Sequence, residues 1–219
     1  MSKQPIPPLA LALALLLSNA ALAKAPVITL TPAEYEPRIQ QATADTKTLA
    51  ATLHAGKRAA FLCVYCHGED GNSVQENIPN LAGQNPVYLL TQIEKFGDGR
   101  RNDPFMSGLI KSIKDEDRIS MAVYYASTKP NTPAATDAAL IEKGRKRFLT
   151  TCIGCHGPKA AGNKTVARLA GQRVSYLTQT LGLYRASKSP RTDPIMTLVA
   201  RKLDPEDIPA VTAYLSTLK

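Results

Sequence analysis

Cysteine and histidine are scarce in this chain, four and three residues among 219. Every cysteine falls inside one of two short motifs, so none is left over for another role. Sustained apolar–polar alternation of period two is missing, which removes sheet architectures. No βαβ pattern surrounds the cysteines, which removes a thioredoxin-like fold. The one long apolar run, Leu9 to Leu17, falls short of the ~20 residues a membrane crossing takes. Acidic residues are outnumbered, 18 against 27 basic, for a net charge of +9.

The two motifs are Cys63-Val64-Tyr65-Cys66-His67 and Cys152-Ile153-Gly154-Cys155-His156. Paired thiols at this spacing could form two local disulfides, or together hold one zinc ion. The histidine that follows in both copies favours a third chemistry. The thiols add across the vinyl groups of a haem and the imidazole ligates its iron. The N-terminus suits such a site. Lys3, the apolar run and Ala21-Leu22-Ala23 make a signal peptide with cleavage after Ala23 and an exported chain starting at Lys24. An oxidising compartment also permits disulfides, so location alone does not decide the cysteine chemistry.

Similarity between the halves extends beyond the motifs. Leu81-Ala82-Gly83-Gln84 recurs as Leu169-Ala170-Gly171-Gln172, and Tyr88-Leu89 as Tyr176-Leu177. Asp103-Pro104-Phe105-Met106 recurs as Asp193-Pro194-Ile195-Met196, Glu116-Asp117 as Glu206-Asp207, and Tyr124 as Tyr214. Two copies of one unit predict two tandem domains rather than a solenoid. The expected layout is a signal peptide over 1–23, a leader over 24–55, domains over 56–128 and 140–219, and a linker over 129–139. Val174, Leu177, Leu181 and Tyr184 share one helical face, as do Ile208, Val211, Leu215 and Leu218. Asp204-Pro205 offers a helix start, although Pro209 argues for one nearer Asp207. The segments bearing Met106 and Met196, rich in Arg, Asp, Pro and Gly or Ser, read as loops. Each half is therefore a small all-α domain. So thin a core needs a staple, which haem would supply, and the haem-free chain is expected to fold poorly.

Each haem needs a second axial ligand. His54 has no counterpart in the second half and reads as a solvated polar residue. Met121 aligns with Val211 on an apolar face and reads as core. Met106 and Met196 align with each other, and their spacings from His67 and His156 agree to within one residue. A thioether is a soft neutral donor that raises the reduction potential and closes the coordination sphere, which favours electron transfer over catalysis. The other nitrogen of each histidine should donate to a carbonyl or carboxylate.

The two C-x-x-C-H motifs, the duplicated Leu-Ala-Gly-Gln segments and the paired Pro-x-Met segments resemble the dihaem cytochrome c4 family, over roughly Gly56 to Lys219. The resemblance implies a periplasmic protein with two class I cytochrome c domains related by a pseudo-twofold axis, their haem propionates close together. It implies two covalently bound haem c groups, with thioether links at Cys63, Cys66, Cys152 and Cys155 and axial pairs His67/Met106 and His156/Met196. Tyr88, Tyr176, Arg101 and Arg191 become candidates for packing or propionate contacts. Pro26 to Leu53 has no repeat partner.

Charge is uneven. Residues 56–128 hold 8 Lys/Arg and 9 Asp/Glu, whereas residues 140–219 hold 14 and 5. Such a separation makes a molecular dipole that orients encounters. The expected partners are redox proteins: a terminal oxidase, a quinol-oxidising complex or a dehydrogenase. The basic half would face an acidic partner or an anionic membrane surface, and nucleic acid is not expected. The leading reading is an electron carrier and not an enzyme. The alternatives are the cytochrome subunit of a dehydrogenase complex such as a flavocytochrome, a dihaem enzyme, and a haem-based sensor. Peroxidases and sensors need an openable iron, and the thiosulfate enzymes use a cysteine ligand that this chain cannot spare.

Overall fold

A computed structural model describes residues 31–132 and 137–219. The expected signal peptide with its cleavage site, residues 24–30 of the leader and residues 133–136 of the linker lie outside the described residues. The first half contains α1 (Pro32–Ala42), α2 (Thr46–Ala59), α3 (Val64–His67), α4 (Pro86–Asp98), α5 (Pro104–Lys111) and α6 (Asp115–Ser127). The second contains α7 (Ala138–Thr151), α8 (Ile153–His156), α9 (Val174–Arg185), α10 (Pro194–Ala200) and α11 (Asp207–Thr217). Helices α7 to α11 repeat the order of α2 to α6, and α1 has no counterpart. Among the described residues the only strand-like pairing is an isolated bridge between Arg101 and Arg191, so the chain is all-α as expected.

Both halves are built on a crossing of their first and last repeated helices, α2 on α6 and α7 on α11. Glycine makes each crossing possible. A Cβ on Gly56 would overlap the Ser120 carbonyl of α6, and one on Gly144 would overlap the Ala210 carbonyl of α11. The cores then follow the apolar periodicity. Leu90, Met121 and Tyr125 are buried in the first, and Phe148, Leu177, Val211 and Leu215 in the second. Met121 is core, as its alignment with Val211 predicts. His54 is exposed beside Arg58. Helix α11 begins at Asp207 rather than Asp204, because Pro209 then falls in its first turn, where no hydrogen-bonding N–H is needed.

One expectation fails. Met106 and Met196 lie on helices, not loops. In Asp-Pro-x-Met the aspartate is the N-cap, and the proline sits at the first helical position with its φ already suited to a helix. Residues that discourage a helix in mid-sequence begin one here. Among the described residues, no helix is long and apolar enough to cross a membrane.

Candidate haem-binding sites

No disulfide joins any of the four cysteines. Cys63 is the N-cap of α3 and Cys66 its third residue, and Cys152 and Cys155 hold the same places on α8. One helical turn between them puts both sulfurs on the same side. Burial pushes the Cys63 thiol up and the Cys152 thiol up to about 11. A thioredoxin-type nucleophile needs the opposite shift. The motif histidines close the same short helices and are buried, at 8% exposure for His67 and 6% for His156. Burial lowers the pKa of both rings and keeps them neutral. Nδ1–H of His67 donates to the Pro79 carbonyl at 2.8 Å, and that of His156 to the Ala167 carbonyl at 2.9 Å. This tautomer leaves Nε2 with its lone pair free for a metal.

Each candidate methionine is pinned by its own motif. The backbone N–H of Met106 donates to Asp103 Oδ1 at 2.9 Å, and that of Met196 to Asp193 Oδ1 at 3.0 Å. The structure gathers Cys63, Cys66, His67 and Met106 on the wall of one cavity of about 510 Å³. Leu89, Ile93, Leu109, Ile110 and Met121 supply its apolar lining. Two free thiols, a neutral imidazole, a thioether and an otherwise apolar wall are what a covalently attached haem requires, so the residues fit the group. In the second half, Cys152 packs against the core, and the charge of Asp193, the cap of Met196, acts on the His156 ring.

The cavity is completed by the other half. Ala167, Arg168, Leu169, Gln172, Tyr176 and Arg191 all reach its wall. The seam that delivers them is reciprocal. Gln172 accepts from the Asn80 N–H at 2.7 Å and donates to the Asn80 carbonyl at 3.0 Å. Gln84 does the same to Arg168, at 2.8 and 3.1 Å. Beside them the Asn102 N–H donates to the Pro190 carbonyl at 2.8 Å, and the Thr192 N–H to the Arg100 carbonyl at 2.9 Å. These pairs exchange under a local twofold that passes between Arg101 and Arg191.

Sequence reasoning used Leu-Ala-Gly-Gln only as proof of duplication. Its task is to join the halves, and the left-handed glycine before each glutamine (φ 65° at Gly83, 69° at Gly171) sets the turn from which the amide reaches across. Tyr88, Tyr176, Arg101 and Arg191, the candidate packing residues, are brought together at the seam. The Arg101 guanidinium stacks 4.2 Å from the Phe96 ring and donates to Gln92 at 3.1 Å. Arg191 donates to the Tyr176 hydroxyl. Burial, with the charge of Arg191, depresses the Arg101 pKa.

A thiol pair and a braced imidazole, built twice by the same order of helices, make this a tandem c-type cytochrome. A family model for cytochrome c matches residues 141–219. Cytochrome c4 of Pseudomonas aeruginosa is 36% identical over 183 residues, covering 77% of this chain and 90% of that protein. The crystal structure of reduced recombinant cytochrome c4 from Pseudomonas stutzeri superposes with a TM-score of 0.69 at 34% identity, covering 76% of this chain and 98% of that one. A thiosulfate dehydrogenase electron acceptor of Thiomonas intermedia is 31% identical over 76% of this chain and 82% of its own length. The chain belongs to the dihaem cytochrome c4 family, and its cofactors are covalently bound haem c.

Proposed function

We propose that the chain is a periplasmic electron carrier whose two haems are both closed by methionine, and that it has no enzymatic activity of its own. Haem c supplies a one-electron iron couple, and the protein's residues set what that couple can do. Cys63, Cys66, Cys152 and Cys155 are assigned the thioether links. His67 and His156 present an unprotonated Nε2 because Nδ1 donates to the Pro79 and Ala167 carbonyls. Met106 and Met196 would each give the iron a thioether ligand, which would close it to peroxide and oxygen and raise its potential. The observation that carries this reading is the duplicate bracing of both ligand pairs, carbonyl on imidazole and aspartate on methionine. The two haem units are assigned to residues 56–128 and 140–219, with α2 extending the first towards its N-terminus.

Optical spectroscopy tests the ligation. The ferric protein should show the weak far-red band of iron–methionine bonding, and Met106→Ala and Met196→Ala should each remove about half of it. A high-spin ferric spectrum, or rapid carbon monoxide binding by the native ferrous protein, would overturn the proposal. Export after cleavage at Ala23 predicts a purified protein that begins at Lys24, which intact-mass measurement reads directly.

The basic second half is assigned to an acidic partner such as a terminal oxidase, or to an anionic membrane surface. The first half is left to face the donor. Electron-transfer rates to the two partners should then differ in their salt dependence. A dehydrogenase donor is a second reading, favoured by the similarity to a thiosulfate dehydrogenase electron acceptor. Co-purification with a dehydrogenase subunit would select it.

A further inference from the structure

Each motif histidine leans on a carbonyl whose own peptide group is held from the other half. Nδ1–H of His67 donates to the Pro79 carbonyl at 2.8 Å. The N–H of that same peptide group belongs to Asn80, and it donates to Gln172 Oε1 at 2.7 Å. The second half repeats the arrangement. His156 donates to the Ala167 carbonyl at 2.9 Å, and the Arg168 N–H of that peptide donates to Gln84 Oε1 at 2.8 Å. A trans peptide points its C=O and N–H in opposite directions, so one planar unit runs from ring to glutamine. Each glutamine oxygen is also aimed by the N–H that follows it in the chain, Arg173 at 3.0 Å for Gln172 and Asn85 at 3.1 Å for Gln84. Asn80, Gln84 and Gln172 are all buried.

An acceptor on the N–H of an amide draws electron density onto its carbonyl oxygen. That oxygen then holds the imidazole proton more strongly. Bonds in such a chain strengthen one another by about 10–30% each, and burial away from water preserves the effect. A more strongly held Nδ1 proton makes the ring a better donor at Nε2. Such a ring favours ferric over ferrous iron and lowers the potential. The two chains cross, so the glutamine of each half acts on the histidine of the other. Gln84 lies on the wall of the first cavity, yet the chain it completes ends at His156. Glutamines that served only to join the halves could grip any main chain at the seam. Both grip the peptide on which a haem histidine leans.

We infer that Gln84 and Gln172 are positioning residues that set the reduction potential of the haem in the opposite half. The inference rests on His67 and His156 as axial ligands. Its test is a redox titration of the holoprotein followed by NMR, with the Nδ1–H signals of both histidines read in the ferrous state. Met106→Ala and Met196→Ala assign the signals to each half. In Gln172→Ala the reduction constant of the haem on His67 should rise about threefold, equal to about 28 mV. The His67 Nδ1–H signal should move upfield with it, as it does when a hydrogen bond weakens. Gln84→Ala should do the same to the haem on His156. Gln172→Met and Gln84→Met fill the volume without an amide, and they serve if the alanine variants fail to fold. Unchanged potentials overturn the inference. So does an equal shift in both halves, or a larger shift in the half that carries the altered glutamine. A potential that moves while the Nδ1–H signal stays also overturns it, because cavity polarity would then be the cause. A native protein whose histidine signals show no iron ligation would overturn the axial assignment, and that failure is visible before any variant is made.

Discussion

The two halves solve one problem with different residues. Both must hold a methionine helix that is too short to be stable alone, α5 over Pro104–Lys111 and α10 over Pro194–Ala200. In the first half Arg118 on α6 donates to the Ile110 carbonyl at the end of α5 at 2.8 Å. The second half works from the chain that follows α10. Arg185 on α9 donates to the Leu203 carbonyl at 2.7 Å, and Arg147 on α7 reaches the Lys202 carbonyl while pairing with Asp207 at 2.9 Å. Duplication fixed the haem motifs, the methionine helices and the helix crossings. It left the outer supports free to differ, and the charge of the two surfaces with them.

Removing both cofactors should erase the comparison altogether. The haem-free chain keeps two thin cores joined at a seam whose neighbouring wall is the haem cavity, and it should lose its native near-UV circular dichroism. Haem-free protein with a native spectrum would contradict this. Breaking one half while sparing the other is the next largest effect. Gly56→Ala and Gly144→Ala each force a helix crossing apart, at a cost of about 3 kcal/mol. Calorimetry of the holoprotein should show a split transition in which only the altered half melts early.

The seam is a smaller lever. Gln172→Ala leaves the buried Asn80 N–H and carbonyl without their partner, and Gln84→Ala strips the same groups of Arg168. Each should cost about 1–3 kcal/mol, read as a lower melting temperature with both far-red contributions intact. The smallest test concerns one turn. Gly71 and Ala160 occupy equivalent left-handed positions, with φ of 81° and 52°. Ala160→Gly should stabilise the second half by about 1 kcal/mol, since only the alanine is strained there. Gly71→Ala should cost more than that, because its Cβ would sit 2.8 Å from the Ala82 nitrogen and from the Tyr125 ring.

What could be read from the sequence was whatever occurs twice. The haem motifs, the paired methionines and the apolar faces of α9 and α11 each came with a second copy as a check. The helices around Met106 and Met196 were missed although they also occur twice, because Asp-Pro breaks a helix or begins one depending on where it falls. Helix α1 was hidden for the opposite reason. It has no partner segment, and its buried face is little more than Tyr35 and Ile39. The carbonyls of Pro79 and Ala167 were out of reach too, since every residue carries a carbonyl and only the fold decides which one meets an imidazole. The reach of Gln84 and Gln172 across the seam joins residues far apart in the chain, and no local pattern announces it.

The way those glutamines bind has a consequence of its own. Each reads only the main chain of the residue it grips, and one grips an asparagine while the other grips an arginine. The glutamine grip itself is therefore indifferent to side-chain identity at the gripped position, and Asn80 adds a side-chain bond of its own to the Gly171 carbonyl at 2.8 Å. After the ancestral copy arose, each half could change its outward character, one towards neutrality and the other towards strong positive charge, without renegotiating its hold on its twin.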